Sequence, residues 1–180
     1  PPLQCDFLMA VSAPLLQPSK VVDGDHIEQA GFRTSDGAAF LPSHMDMPVL
    51  QILHRLSALG GGVPEQGEFL ALLRYHPGQE YRPHYDYLPI DAKDYSQVAR
   101  SGQRRRTVLT YLSAGYDGGE TAFPKLGLTH KGGQGDSLVF ANTDDAGEGL
   151  PQSLHAGMPV TGGEKWLVTL WLREKRFWPW

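Results

Sequence analysis

Two histidines and one aspartate carry the most specific chemical signal in this 180-residue sequence. His84 and Asp86 are separated by the single residue Tyr85. Side chains at positions i and i+2 of a strand face the same side, so the imidazole and the carboxylate are expected to project together. His155, which begins a later strand pattern, is the candidate third ligand. Two histidines and one carboxylate occupy one face of a metal ion and leave its other positions open, which favours non-haem Fe(II) oxygenase chemistry over a closed structural zinc site.

A lysine lies close to this group in the expected fold. Lys165 follows His155 by ten residues, across the turn at Gly162-Gly163, and belongs to the next predicted strand. A lysine in a strand is usually solvated. In this position it is also placed to meet the distal carboxylate of a cosubstrate inside a barrel.

The elements that must position these side chains are mostly strands. Apolar residues at helical spacing predict one helix near Leu8, Val11 and Leu15, and a second over residues 48–59 that ends at the glycines 60–62. From Glu68 onward the pattern changes to short strands separated by glycine-containing turns. The predicted strands are 69–75, 81–87, 107–112, 137–141, 155–160 and 165–173. Six or more such strands with little helix between them predict an antiparallel sandwich or barrel, with the two helices packed outside one sheet.

Composition narrows the class of protein. Hydrophobic residues make up 41% and charged residues 20%, which excludes a disordered chain. The formal net charge of −4 argues against a nucleic-acid binder or a binder of anionic membranes. No apolar run reaches the length of a membrane span, and no leader pattern is present. Because Cys5 is the one cysteine, no intramolecular disulfide can form, and a reducing, cytoplasmic location is the expectation.

Six segments, taken together and in order, resemble the catalytic domain of the 2-oxoglutarate- and Fe(II)-dependent dioxygenases of the prolyl 4-hydroxylase type. The resemblance runs from about residue 31 to residue 173, and the joint spacing is far more specific than any single segment. The segments are R-T-S (33–35), Y-H-P-G-Q-E-Y-R-P-H-Y-D (75–86), R-T-V-L-T-Y-L (106–112), G-G-E-T-A-F-P (118–124), G-D-S-L-V-F (135–140) and H-A-G-M-P-V followed by G-E-K-W (155–166).

The resemblance implies a fold, a set of cofactors and a set of site residues. The implied fold is a mainly β, double-stranded β-helix (a cupin-like jelly roll) with N-terminal helices on one sheet, in a single domain of residues 1–180. Residues 1–67 are expected to be helical or irregular, and residues 68–176 to form the barrel core. Fe(II), 2-oxoglutarate and O2 are implied, with ascorbate as a further cofactor. By position, the iron ligands are His84, Asp86 and His155, and the 2-oxoglutarate contacts are Lys165, Tyr75 and Thr121.

The implied activity is hydroxylation of an unactivated C–H, with a prolyl residue in a peptide or protein as the substrate. The corresponding peptide-groove residues are Arg33, Ser35, Glu68, Tyr81 and Trp171. Two alternatives stay open: the same chemistry on a free amino acid or other small molecule, and a cupin-like binding module without turnover. Residues 23–30 and 88–103 are predicted to be loops that become ordered when substrate binds.

Overall fold

The computed structural model describes residues 1–19, 21–23, 26–28, 33–88 and 95–178. The helices are α1 (Pro2–Ser12), α2 (Met47–Leu59) and α3 (Tyr95–Ser101). The first seven strands are β1 (Gln17–Pro18), β2 (Val21–Asp23), β3 (His26–Glu28), β4 (Asp36–Ala39), β5 (Ala71–Tyr75), β6 (Tyr81–His84) and β7 (Arg104–Tyr111). The others are β8 (Asp117–Gly118), β9 (Thr121–Phe123), β10 (Leu128–His130), β11 (Ser137–Ala141), β12 (His155–Gly157), β13 (Val160–Gly162) and β14 (Lys165–Arg173).

Two antiparallel sheets form the body of the protein. The major sheet has six strands in the order β1-β4-β5-β14-β7-β11, and the minor sheet has four in the order β10-β9-β12-β6. Two further pairs, β13 with β8 and β2 with β3, complete the strand pairing in the described parts of the chain. The predicted antiparallel architecture is therefore confirmed.

Strand β14 shows how the sequence divides the interior into two parts. Successive side chains of a strand point to opposite faces, so Trp166, Val168, Leu170 and Leu172 join the core beneath the helices. The alternate positions, beginning with Lys165 and Leu167, line a pocket on the opposite face of the sheet. Both faces are covered, which explains why this strand reads as an almost continuous apolar run.

The helices pack against one face of the major sheet, as the sequence predicted. Helix α2 begins at Asp46, whose side chain accepts a hydrogen bond from the Val49 amide at 3.0 Å. The helix ends at Gly60, and Gly61 then takes a φ of +72°, a conformation that favours glycine. Buried apolar residues of α1 and α2 form a single core with those of β5, β7 and β14. Among the helices of the described ranges, none has the length and apolar character needed to cross a membrane.

Several boundaries differ from the sequence predictions, among them the starts of β5 and β7. The predicted division into a helical or irregular part (1–67) and a barrel core (68–176) was too simple. Strands β1 and β4 belong to the first part and form one edge of the major sheet. The strand predicted for 155–160 is divided into β12 and β13, since Pro159 has no amide hydrogen with which to continue the ladder. The strand predicted for 81–87 ends at His84.

The two predicted loops contain regular structure. Within 23–30, strand β3 pairs with β2, and residues 24–25 and 29–30 lie outside the described residues. Within 88–103, residues 95–101 form α3, and residues 89–94 lie outside the described residues. The Gln103 side chain hydrogen-bonds the backbone of Leu88 through both its donor and its acceptor, at 2.6 and 2.8 Å, which ties the two ends of this segment together.

Candidate active site

His84, Asp86 and His155 come together in the minor sheet. His84 ends β6, His155 begins β12, and the two are direct partners in the antiparallel register. Each imidazole Nε2 lies 3.7 Å from one oxygen of the Asp86 carboxylate. The three residues offer one ligand atom each, and these three atoms lie within 4.8 Å of one another. This is the grouping that the sequence predicted, and it brings together residues that are 71 positions apart.

The hydrogen bonds of the two imidazoles use Nδ1 and leave Nε2 of each ring to bind a metal. The Nδ1 atoms of His84 and His155 lie 2.8 Å from the Arg82 carbonyl and 2.9 Å from the Ser153 carbonyl. A carbonyl only accepts, so each Nδ1–H donates, and each neutral ring keeps its lone pair on Nε2. Burial, with a smaller contribution from the charge of His155, lowers the pKa of His84 to about 4, which favours that neutral form. The donor set therefore fits a divalent first-row metal.

The aspartate is held in the ionised form. Burial alone would raise the pKa of Asp86, but the two neighbouring imidazoles and a hydrogen bond from Thr107 outweigh it and keep the pKa below its usual value. The Thr107 hydroxyl donates to Asp86 Oδ2 at 2.6 Å. The ionised carboxylate gives this group an anionic oxygen ligand for a metal.

A pocket adjoins these three residues and lies between the two sheets. Lys165 and Tyr75, which are direct partners across β14 and β5, line it together with Thr121 from β9. Lys165 is only 1% exposed, and its Nζ lies 5.5 Å from the centre of the Tyr75 ring. Burial lowers the pKa of Lys165 to about 8, and Glu120 offsets this only in part. No carboxylate of the described chain lies within ion-pair distance of this ammonium group.

Tyr75 and Thr121 both make hydrogen bonds inside the protein. The Tyr75 hydroxyl bonds Ser35, and burial raises the pKa of this tyrosine well above its usual value. The Thr121 hydroxyl shares a hydrogen bond of 2.7 Å with the hydroxyl of Tyr111. Tyr111, which the sequence reasoning did not single out, also places its ring 5.6 Å from Lys165 Nζ. Its position inside an apolar strand offered no local sign of this role.

Arg33, Tyr81 and Trp171, three of the predicted peptide-groove residues, line the same pocket. The ring of Tyr81 stacks on that of His84, with centroids 3.6 Å apart and an interplanar angle of 18°. The Arg33 guanidinium lies over the Tyr81 ring, 5.1 Å from its centre. These contacts place a guanidinium and a phenol in the pocket wall beside the metal-binding group.

Glu68 lies elsewhere. Its carboxylate accepts two hydrogen bonds from Arg104, at 2.6 and 2.7 Å, and one from Arg173 at 3.1 Å. Arg104 in turn lies 4.1 Å from the centre of the Trp171 ring and donates to the Asp86 carbonyl at 3.3 Å. Glu68 therefore binds two arginines behind the pocket wall. Neither arginine was assigned to Glu68 from the sequence, because Arg104 and Arg173 lie 36 and 105 positions from it in the chain.

Comparison with known proteins agrees with this fold and site. A model of the 2OG-Fe(II) oxygenase superfamily matches residues 70–173. Prolyl 4-hydroxylase 1 of Arabidopsis thaliana is 36% identical over 97% of this chain, which spans 66% of that relative's length. The viral collagen prolyl hydroxylase of Paramecium bursaria Chlorella virus-1, solved with 2-oxoglutarate, is 27% identical, with a TM-score of 0.73 over 96% of this chain and 91% of that one. A Pseudomonas putida prolyl-4-hydroxylase shares the fold, at 22% identity and a TM-score of 0.65 over 97% and 88% of the two chains.

The fold and the site define a class, the jelly-roll oxygenases with a two-histidine, one-carboxylate metal site. Within that class, this chain belongs to the 2OG-Fe(II) oxygenase superfamily, whose cofactors are Fe(II) and 2-oxoglutarate. The family and the jelly-roll fold inferred from the sequence are thereby confirmed.

Proposed function

We propose that this protein hydroxylates a prolyl residue in a peptide or protein, consuming 2-oxoglutarate and O2. The reaction converts 2-oxoglutarate, O2 and a C–H group into succinate, CO2 and a C–OH group. One oxygen atom enters succinate and the other enters the hydroxyl. The observation that carries the proposal is the approach of His84, Asp86 and His155 beside a buried lysine in one pocket.

His84, Asp86 and His155 would hold the metal. Their contribution is to offer two neutral imidazole nitrogens and one carboxylate from one side, in a site from which the protein excludes water. Bound there, Fe(II) with 2-oxoglutarate supplies the oxidising chemistry that breaks an unactivated C–H bond. The packing of Phe123 and Phe140 against His155, with ring centroids 5.8 and 4.8 Å away, holds that imidazole in place.

Lys165 would bind the distal carboxylate of 2-oxoglutarate. A buried ammonium group without a carboxylate partner is costly, and a ligand carboxylate removes that cost while gaining a charge-assisted hydrogen bond. Tyr75 flanks the same position as the cross-strand partner of Lys165, and Thr121 lines the pocket beside them. Together they would orient the cosubstrate along the pocket.

The substrate would reach the pocket along the wall formed by Arg33, Tyr81 and Trp171. Aromatic faces suit the flat, apolar ring of proline. The buried Nε1 of Trp171 has no hydrogen-bond partner in the described chain, so this group can donate to a backbone carbonyl of a peptide. The similarity to prolyl 4-hydroxylases over 97% of the chain supports the same substrate class.

Two further expectations belong to this proposal. The buried free thiol of Cys5 supports function in a reducing compartment such as the cytoplasm. Ascorbate is proposed as a reductant that restores Fe(II), and its test is a comparison of total turnovers with and without ascorbate. Equal turnover numbers would remove ascorbate from the proposal.

Anaerobic titration with Fe(II) and 2-oxoglutarate tests the site. The wild-type protein is expected to develop the visible charge-transfer absorption of a 2-oxo acid chelated to Fe(II), and His155→Ala is expected to lose it. His54→Ala is the matched control, because it removes a histidine from the exposed side of α2. Loss of the signal in both variants, or its retention in His155→Ala, would contradict the assignment.

Succinate release tests the substrate class. A proline-rich peptide is expected to stimulate succinate formation, and the same peptide with alanine in place of proline is the control. Stimulation by free amino acids and not by peptides would replace the proposal with small-molecule hydroxylation. Formation of the Fe(II)–2-oxoglutarate complex without turnover on any substrate would favour the binding module.

A further inference from the structure

A buried chain of two hydrogen bonds leads from Asn142, which directly follows β11, to the candidate metal ligand Asp86. Asn142 Nδ2 lies 2.8 Å from Thr107 Oγ1, and Thr107 Oγ1 lies 2.6 Å from Asp86 Oδ2. Asn142 and Thr107 are fully buried, and Asp86 is 6% exposed. The three residues come from β7, from the end of β11 and from the segment after β6, so sequence spacing gives no sign of the arrangement.

The direction of each hydrogen bond follows from the chemistry of the three groups. The Asp86 carboxylate only accepts, so the single Thr107 proton points toward Oδ2. Thr107 Oγ1 must then accept from the amide nitrogen of Asn142. The opposite amide orientation would place two acceptors against one proton. Asn142 Oδ1 is buried and has no hydrogen-bond partner among the described residues, so Asn142 interacts with this group as a donor to Thr107.

Thr107 is well suited to hold a carboxylate still. It lies on a central strand, paired with Trp171 of β14 on one side and Phe140 of β11 on the other. Asn142 is itself anchored through its backbone, which donates to the Arg105 carbonyl and accepts from the Leu150 amide, both at 2.8 Å. The chain of hydrogen bonds therefore connects Asp86, outside the strands, to backbone that is paired on both sides within the major sheet.

We propose that Thr107 is a positioning residue that fixes the plane of the Asp86 carboxylate for metal binding, and that Asn142 fixes the direction of the Thr107 proton. One lone pair of Oδ2 is committed to Thr107, so the carboxylate cannot rotate to present both oxygens symmetrically. This restriction favours binding through one oxygen and leaves more of the metal accessible to ligands. The inference rests on the proposed function, because it assumes that the three-residue group binds a metal.

Thr107→Val tests the proposal, since it replaces the hydroxyl with a methyl group of similar size. Mn(II) affinity is expected to fall about 10- to 100-fold, the usual effect of removing a partner that orients a ligand. The absorption spectrum of the Co(II)-loaded protein should change with it. Thr107→Ser, which keeps the hydroxyl, is expected to restore both. Thr110→Val is the matched control, because Thr110 lies on the same strand and its hydroxyl bonds Ser137 at 2.7 Å, away from Asp86.

Asn142→Ala tests whether Asn142 fixes the direction of the Thr107 proton. It also keeps the proposal testable if Thr107→Val does not fold. Alone it is expected to weaken Mn(II) binding by a smaller factor. Combined with Thr107→Val it is expected to have no further effect, because no hydroxyl proton remains to be directed. Equal affinities for Thr107→Val and Thr110→Val, or full additivity in the double variant, would overturn the proposal. Failure of the wild type to bind Mn(II) would instead overturn the proposed function.

Discussion

Two buried cations on adjacent strands of the major sheet have opposite surroundings. Arg104 on β7 makes a two-pronged ion pair with Glu68, and a second arginine, Arg173, shares the same carboxylate. Lys165 on β14 is 1% exposed, whereas the Arg104 side chain is 20% exposed. Aromatic rings lie near the Lys165 ammonium group, and no carboxylate of the described chain pairs with it. Burial alone would lower the pKa of both. Glu68 reverses the effect and raises the pKa of Arg104, whereas the pKa of Lys165 falls to about 8.

The comparison distinguishes a cation that stabilises the fold, Arg104, from a cation that is available to bind a ligand, Lys165. A buried cation whose hydrogen bonds are satisfied within the protein has little left to offer a substrate. A buried cation without an anion destabilises the ligand-free protein. Such a residue is typical of a binding site, because an anionic ligand removes the destabilisation when it binds. Glu68, predicted as a groove residue, is therefore better explained as the counter-ion of two arginines.

The largest expected effect is the loss of the Glu68 charge. Glu68→Gln removes the carboxylate that Arg104 and Arg173 share, so the free energy of unfolding is expected to fall by about 3–5 kcal/mol. Chemical denaturation of the metal-free protein measures this change. A loss below about 1 kcal/mol would mean that water or another group satisfies the arginines, and the comparison with Lys165 would fail.

Lys165→Met is expected to weaken 2-oxoglutarate binding. The loss of a charge-assisted hydrogen bond of about 1.5–3 kcal/mol corresponds to about 10- to 100-fold in affinity. Calorimetric titration of the Mn(II)-loaded protein measures it, and Mn(II) affinity itself should stay unchanged. Unaltered 2-oxoglutarate binding would remove Lys165 from the cosubstrate site.

The same substitution should stabilise the protein in the absence of ligand. The folded-state pKa of Lys165 lies near 8 and the ordinary lysine value is 10.5, so between these values the unfolded chain holds a proton that the folded chain has lost. The contribution of this group to stability therefore rises with pH through that window. Lys165→Met has no buried ammonium group, so its melting temperature at pH 7.5 should exceed that of the wild type. Between pH 7.5 and 9.5 the melting temperature of the variant should rise less than that of the wild type.

The pH dependence of 2-oxoglutarate binding gives a smaller effect. The cosubstrate carboxylate prefers the ammonium form of Lys165, so affinity is expected to fall above about pH 8, by at most about tenfold per pH unit. Binding above that pH should be accompanied by proton uptake, which calorimetry in buffers of different ionisation enthalpy detects. Affinity that stays constant from pH 7 to 9.5 would show that Lys165 remains protonated in the free protein.

The smallest effect is expected at an exposed ion pair, which serves as the reference for the four predictions above. Glu80 Oε1 lies 3.3 Å from Arg82 Nε, and both side chains are substantially exposed to solvent. Glu80→Gln should change the free energy of unfolding by less than about 1 kcal/mol. A loss as large as that of Glu68→Gln would show that burial does not account for the difference between the two pairs.

Much of the site could be predicted because its residues lie in strands of regular alternation. The two-residue spacing of His84 and Asp86 and the order of the six segments pointed to the metal-binding group, and the structure brings the three residues together. The strand predicted for residues 165–173 is β14 of the structure. The small strands and α3 were missed because elements of two to seven residues carry too little periodicity to be recognised.

The sequence by itself determined the class of fold, the three candidate metal ligands and the lysine beside them, because local spacing decides which side of a strand a residue faces. The tertiary structure alone decided how the remaining polar groups are paired. It assigned Glu68 to two arginines and Thr107 to Asp86, and it left Lys165 without an anion from the described chain. These pairings depend on the register between strands that are distant in the sequence, and on burial, which removes the water that would otherwise satisfy each charge.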